Sequence, residues 1–433
     1  MPPLMIPNEH ALELAARALR EKALKRVGES IEIFRGFRKV EEHRLRMWHH
    51  AGAGGREVAR QRSDLVDILF KDLFEGIIRS VAPKGLSEPL VVTALGGYGR
   101  RELTPFSDID IMFTTEKPQP SKAAEDVIRK TLTTLWDIGY KVGHSTRSIA
   151  QTIKQANGDM VTKTSLLESR YLSGDRELYN EFKERFQTDC VRGREGEYIS
   201  WRLANQAETR EKYGRSVFMQ EPNVKNGVGG LRDYHNLLWI SYFKERIIST
   251  AKLVERRFLR DSERRALEKS YDFLLRVRTE MHYSTGRPLD ALTLQLQGRV
   301  AAGFNFPQKH ILLRVEAFMR EYFSHARNIH LITQSAIERV NAVPEKPALF
   351  GILRPKAEKF DGFVARNGKL YEESRETFAE DPYRLIRAFH HAQVRQLTFS
   401  SELRDVIRRR LRLVNRTFQY ARVARETFLA ILS

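Results

Sequence analysis

The chain has 433 residues, enough for about three domains. Apolar residues make up 41% and charged residues 30%, a balance that supports a buried core and excludes a disordered or collagen-like chain. Lys and Arg number 74 against 55 Asp and Glu, a formal charge of +19 that favours polyanionic partners without choosing among nucleotides, nucleic acid, acidic protein faces and anionic membranes. The one cysteine, Cys190, excludes an internal disulfide and a cysteine-built zinc site and fits a reducing, cytoplasmic setting. No run approaches the roughly 20 apolar residues of a membrane helix, and Met1 to Glu9 carry no secretion pattern.

Residues 8 to about 82 read as helical. Ala11, Leu12, Ala15, Ala16 and Leu19 fall at helical spacing, Gly52 to Gly55 interrupt, and Leu65, Ile68, Leu69, Leu73 and Ile77 form a second apolar stripe. Leu90 to Leu95 is a short buried strand closed by Gly96 and Gly97, and Ser107 to Phe113 is a second strand. A helix follows over Ser121 to Ile138, with weaker strands at Tyr140 to Arg147 and Ser165 to Leu172. Residues 195 to 342 are helical again around a glycine-rich loop, Asn226 to Gly230. Pro344, Pro347 and Pro355 mark a boundary, and Asp381 to Ser433 is helical and basic, with eight Arg against three acidic residues from Ser401 onward. It ends inside a helical pattern, which favours a fragment of a longer chain over a naturally short relative. The parts are therefore a helical lead (1–82), a compact unit of mixed strands and helices (83–194), a helical region (195–342) and a helical connecting segment (343–433). The expected fold class is α+β, a small mixed sheet with extensive helical regions before and after it.

The chemistry sits in Leu90 to Phe113. On the second strand Asp108, Asp110 and Met112 share one face, and Ile109, Ile111 and Phe113 take the other as core. Two carboxylates about 6.6 Å apart along a strand can hold one hard cation or span two. Without metal the pair is costly, because like charges repel. Gly96 and Gly97 follow a buried strand and precede a helix-prone piece, Arg100 to Leu103. They let the backbone approach an anion, with Arg100 and Arg101 beside them as phosphate partners. A phosphate cradle ahead of a metal-binding Asp-x-Asp points to metal-assisted nucleotidyl transfer from a nucleoside triphosphate. Neither the P-loop nor the Rossmann spacing is present.

The run Gly-Gly-Tyr-Gly-Arg-x-Glu-Leu-x-Pro-x-Ser-Asp-Ile-Asp over Gly96 to Asp110 resembles the active-site motif of the bacterial enzymes that uridylylate the PII nitrogen-signalling protein, within the DNA polymerase β-like nucleotidyltransferase superfamily. Thr164 to Asp175, Glu221 to Asp233, His282 to Arg287 and Tyr322 to Arg327 are similar to further stretches of that family, so the likeness runs over roughly residues 60 to 430. The resemblance implies a polymerase β-like core, Mg²⁺ held by Asp108 and Asp110 in a two-metal site, and a triphosphate held by Gly96 and Gly97, with Arg100, Ser107, Lys225 and Arg232 as further nucleotide-binding residues. It also implies a third carboxylate on a neighbouring strand, for which Glu168 is the candidate and Asp159 the runner-up. The reaction would be attack of a PII tyrosine hydroxyl on the α-phosphorus of UTP, with pyrophosphate leaving.

Two readings of Glu221 to Asp233 stay open: a loop closing over substrate, or a tight connection in which Asp233 caps the next helix. His144 reads as a satisfied strand histidine, with nucleotide contact as the alternative. The pairs His49-His50 and His390-His391 lack ligand spacing, Cys190 reads as a small buried hydrophobe, and Arg408 to Arg410 as a solvated face or a site for an acidic partner. Arg101 stands where the family often has Gly. The hydrolase and glutamine-sensing domains of the full-length enzymes are not recognisable, and no His-Asp dipeptide occurs, so uridylyl removal is not expected from this chain. Competing readings are another transferase of the superfamily, such as one adenylylating glutamine synthetase, a basic nucleic-acid binder with a degenerate site, and a non-catalytic scaffold. Nucleic acid is disfavoured, because no aromatic-basic RNA-binding run is present.

Overall fold

A computed structural model describes residues 30–342 and 357–433. The chain divides into two compact units, Met1–Val340 and Asn341–Ser433, and the class is α+β. The helical reading of residues 8 to 29 and the prolines at 344, 347 and 355 lie outside the described residues.

The first unit is built on a four-stranded mixed sheet in the order β3-β2-β1-β4, with β1 Leu90–Ala94, β2 Ile109–Thr115, β3 Val142–Ser148 and β4 Arg170–Gly174. β1 runs antiparallel to both β2 and β4, and β3 is parallel to β2 with Gly143 opposite Asp110. Ile109, Ile111 and Phe113 of β2 face a core formed with Leu65, Leu69, Phe70 and Phe74 of helix Gly55–Val81 and Val127, Leu132 and Leu135 of helix Lys122–Ile138. Each such large apolar side chain contributes about 1.5–3 kcal/mol by leaving water. The opposite face, through Val91 and Met112, packs on Ile149, Ile153, Phe182, Phe186, Tyr198 and Phe243. Both faces of the sheet are thus covered, which is why β1, Leu-Val-Val-Thr-Ala, is mostly apolar and fully buried. Helices Ser30–His50 and Gly55–Val81 share the sheet's core. Helices Leu231–Glu245, Asp261–Thr285, Leu294–Gly303 and Ile311–Asn341 bury a separate cluster around Tyr271, Leu274, Met281, Phe318 and Tyr322.

Two local expectations are corrected. Ser165 to Leu172 is not one strand: Met160–Leu167 is a helix begun by the Asp159 carboxylate, which accepts from the N–H groups of Val161 and Thr162, and β4 starts only at Arg170. Asp159 is therefore a helix cap and does not line the cleft described below. Adjacent histidines on a helix are expected to point apart, yet the rings of His49 and His50 both reach one carboxylate, Glu280, at 2.9 and 3.3 Å.

The second unit, read from sequence as a helical connecting segment, opens instead with a sheet in the order β5-β6-β7-β8: Glu358–Phe360, Phe363–Arg366, Lys369–Glu372 and Thr398–Phe399. Its first three strands form two hairpins whose turns are Asp361-Gly362 and Asn367-Gly368. All four turn residues have positive φ, the backbone that matches strand twist and that Asp-Gly and Asn-Gly supply. Strands of three or four residues are too short to show alternation, and the helical reading passed over these turns. Helices Arg384–Val394, Ser401–Arg410 and Arg422–Leu432 complete this unit around Phe363, Leu370, Phe378 and Leu403.

Candidate active site

β1 ends at Ala94 and the chain passes through one helical turn, Gly96–Gly99. The glycines are themselves that turn rather than the lead-in to a helix at Arg100. Gly96 has φ +54°, a backbone that side-chain-bearing residues adopt at a cost, and a Cβ on Gly99 would lie 2.1 Å from the Glu168 carbonyl oxygen. The N–H groups of Gly99, Arg100, Arg101 and Glu102 bond back to Leu95, Gly96, Tyr98 and Gly97. The amides at the start of the turn have no partner within it. The Leu95 N–H donates to the Asp110 carbonyl at 2.9 Å, tying this turn to the Asp-x-Asp strand.

Gly96, Gly97, Asp108 and Asp110 line one cleft of about 790 Å³. The same cleft takes in Arg100, Ser107, Glu168, Lys225 and Arg232. The Asp110 carboxylate lies between two glycines: a Cβ would fall 3.5 Å from Oδ2 at Gly96 and 2.5 Å from Oδ1 at Gly143. Partial enclosure and the neighbouring Asp108 charge push Asp110 above the usual carboxylate range, with Lys225 pulling the other way. Among the described residues neither aspartate has an ion-pair partner. Two hard oxygen donors facing a cation-walled cleft fit a divalent ion that completes its shell with water and other oxygen donors. No group of three or more His, Cys, Asp or Glu able to hold a metal gathers among the described residues.

The expected third carboxylate has another occupation. Glu168 is the C-cap of helix Met160–Leu167, not a strand residue. One oxygen accepts from Arg100 at 2.6 Å and the other from the Trp239 indole N–H at 2.6 Å, so each already has one partner in the protein. Arg100 also donates to Glu102 at 2.7 Å, and Glu102 meets His235, which bonds the Tyr271 hydroxyl at 2.7 Å. Burial, with Arg100 nearby, pushes His235 down to about 3, so the ring is neutral. Against the cost of burial, Glu168 and Glu102 hold Arg100 firmly charged. Arg101 turns elsewhere, to an ion pair with Asp64, and takes no part in the cleft. The Ser107 hydroxyl meets Thr104 at 2.8 Å, and Thr104 accepts from Arg278, which pairs with Asp290.

The loop before helix Leu231–Glu245 is pinned. A Cβ on Gly229 would lie 2.1 Å from the Ala326 carbonyl oxygen, and the buried Asp233 carboxylate accepts from the Gly229 N–H and from Gln206. Asp233 thus reaches back to the loop from inside the helix; Gly230 is the N-cap. The Arg232 N–H donates to the Lys225 carbonyl at 2.8 Å, so the two cations come side by side. Burial, with Arg278 close by, lowers Lys225 to about 8; burial, with Arg100 close by, lowers Arg232 to about 10. Among the described residues neither has a carboxylate within ion-pair distance. Such cations await an anion.

Sequence reasoning missed Trp201, Arg202, Asn205, Trp239, Arg278 and Asp290, all of which line the cleft. For the first three, one signal was available: their recurrence at helical spacing within Glu195–Tyr213. His144 is exposed on β3 against Trp136 and does not line the cleft, and Cys190 is buried.

Residues 198–337 match the family described as GlnD PII-uridylyltransferase, and residues 363–433 match the uridylyltransferase GlnD third domain. The chain is similar to the bifunctional uridylyltransferase/uridylyl-removing enzyme of Bradyrhizobium sp. (strain BTAi1 / ATCC BAA-1182), 34% identical over 406 residues that make up 92% of this chain and 43% of that protein. Proteins of the same description from Caulobacter vibrioides (strain NA1000 / CB15N) and Novosphingobium aromaticivorans are 33% identical over 413 and 386 residues, covering 93% and 88% of this chain and 43% and 42% of theirs. The chain spans less than half the length of these relatives.

Proposed function

We propose that this chain, which carries two domains of the GlnD uridylyltransferase family, transfers UMP from UTP to a tyrosine of a PII-type signalling protein and releases pyrophosphate. The observation that carries the reading is the shared cleft: Asp108 and Asp110 stand on one wall with Gly96 and Gly97, and Lys225 and Arg232 stand there without acidic partners among the described residues. Residues 83–194 supply the carboxylates and the glycine turn, and residues 195–342 supply the cations.

Asp108 and Asp110 hold Mg²⁺ in this reading. When bound, the ion neutralises charge on the reacting phosphate and stabilises the attacking and leaving oxygens. Gly96 and Gly97 let the triphosphate lie against the backbone, and Lys225 and Arg232 hold its β- and γ-phosphates. The tyrosine oxygen forms a bond to the α-phosphorus, the bond from that phosphorus to the bridging oxygen breaks, and pyrophosphate leaves with the electron pair. The phenolic proton passes to a carboxylate of the aspartate pair or to water. Glu168 keeps Arg100 and Trp239 in place, and Arg100 lines the cleft beside the glycine turn. The single cysteine supports a reducing, cytoplasmic setting for this reaction.

Incubation with Mg²⁺, each nucleoside triphosphate in turn and a purified PII protein, followed by intact mass of the acceptor, tests the reading. A gain of one uridylyl group on a tyrosine is expected. An unmodified acceptor under all four nucleotides would overturn it, and an adenylyl gain would assign the chain to another reaction of the superfamily.

A further inference from the structure

One wall of the cleft is not used by the transfer chemistry. Helix Glu195–Tyr213 turns a single face to it, with Trp201, Arg202, Asn205, Glu208, Thr209 and Lys212 recurring at three- and four-residue spacing. This wall continues directly from the phosphate end: the Arg202 guanidinium lies 5.1 Å from the centre of the Trp239 ring, and Arg232 lies 5.2 Å from the same ring. Arg202 also covers Trp201 at 4.9 Å. It is 6% exposed, and its Nε has no partner among the described residues.

Arg202 donates to the side-chain amide of Asn205. A guanidinium only donates, so the amide atom that faces it must be the oxygen. The orientation of this amide is therefore settled by chemistry. Its NH₂ group remains, without an acceptor among the described residues, as a donor at the edge of the cleft.

We propose that Asn205 determines which base the site accepts, its NH₂ donating to the 4-keto oxygen of uracil and rejecting the 4-amino group of cytosine. This rests on the reading that the cleft binds a nucleoside triphosphate. UTP and CTP have the same shape, so size cannot separate them; only the hydrogen-bonding edge can. Against cytosine, two donor groups meet and both lose their partners. A site built to pair a substrate's polar group discriminates far more strongly than one that only measures volume. Trp201 offers a flat apolar surface beside the amide, which suits a base of either kind and so does not choose.

The test compares wild type, Asn205→Ala and Asn205→Asp by kcat/KM for UTP and for CTP, with Mg²⁺ and a PII acceptor. Wild type is expected to prefer UTP. Asn205→Ala lowers the UTP/CTP ratio on the order of 10-fold, as for loss of one good base contact. Asn205→Asp exchanges donor for acceptor and inverts the preference. Any effect of its new charge on the triphosphate is common to both nucleotides and cancels in the ratio. The alanine variant, checked for cooperative unfolding, keeps the test decisive if the aspartate variant does not fold. Unchanged ratios in both variants, or a wild type that uses UTP and CTP equally well, would overturn the assignment of Asn205. A wild type that transfers no nucleotide to any acceptor would instead overturn the transferase reading, and this inference with it.

Discussion

The Glu168 carboxylate is shared between Arg100 and Trp239, each 2.6 Å from a different oxygen. One acid thus fixes a cation of the glycine turn's flank and an aromatic of helix Leu231–Glu245, and it does so at the end of a third element, helix Met160–Leu167. Glu168→Gln keeps the shape but removes the charge that Arg100 faces. Loss of stability of about 1–3 kcal/mol is expected, read as a lower urea midpoint, together with reduced transfer. The Mg²⁺ concentration for half-maximal rate should stay unchanged. A large increase in that concentration would instead make Glu168 a metal ligand.

Asp108→Asn and Asp110→Asn each remove one of the two carboxylates proposed to hold the cation. Transfer should fall by at least about 100-fold, measured as uridylylated acceptor per unit time. The melting temperature should hold or rise, because in the absence of metal the two carboxylates repel each other. A variant with full activity would dismiss the aspartate pair from the reaction.

Gly143 faces Asp110 across the β2–β3 pair, and a methyl group there would fall 2.5 Å from Oδ1. Gly143→Ala is expected to push that carboxylate aside and raise the Mg²⁺ requirement roughly 10-fold, as for disturbance of a metal ligand's supporting contacts. The fold should tolerate it, since β3 is an edge strand and Gly143 is exposed. Titration of activity with Mg²⁺ at saturating UTP checks this.

Lys225, lowered to about 8 from an ordinary 10.5, gives two pH effects of opposite sign. Between pH 8 and 10.5 the unfolded chain keeps a proton on this lysine that the folded chain has released, so the stability contribution of this group rises with pH across that window. Phosphate binding needs the charged form, so the KM for nucleotide should climb above pH 8 as the protein itself gains stability from this residue. Lys225→Arg should flatten the KM profile in that range. A nucleotide KM independent of pH from 7 to 9.5 in the wild type would remove Lys225 from the site.

The Asp-x-Asp strand was legible because alternation separates Ile109, Ile111 and Phe113 from Asp108 and Asp110 without any tertiary information. Gly96 and Gly97 were legible for a related reason, since a strand that ends on paired glycines must turn. The cations Lys225 and Arg232 showed as charges in a glycine-rich loop, though their pairing depends on the backbone bond from residue 232 to residue 225. The meeting of Arg202 with Trp239 was not legible, because the two come from separate helices and approach only when those helices pack together. Glu168 was misplaced because Leu166-Leu167 before it reads equally well as a strand or as the buried end of a helix. In the second unit the strands were too short for periodicity, and only Asp361-Gly362 and Asn367-Gly368 announced them.

The bond from the Leu95 N–H to the Asp110 carbonyl has a consequence for how such a site tolerates change. It sets the spacing between the glycine turn and the acidic strand through the ladder of the sheet, not through the stretch of chain that joins them in sequence. Insertions or deletions around the exposed Phe106 bend can therefore alter what borders the entrance while leaving the reach from anion to cation intact.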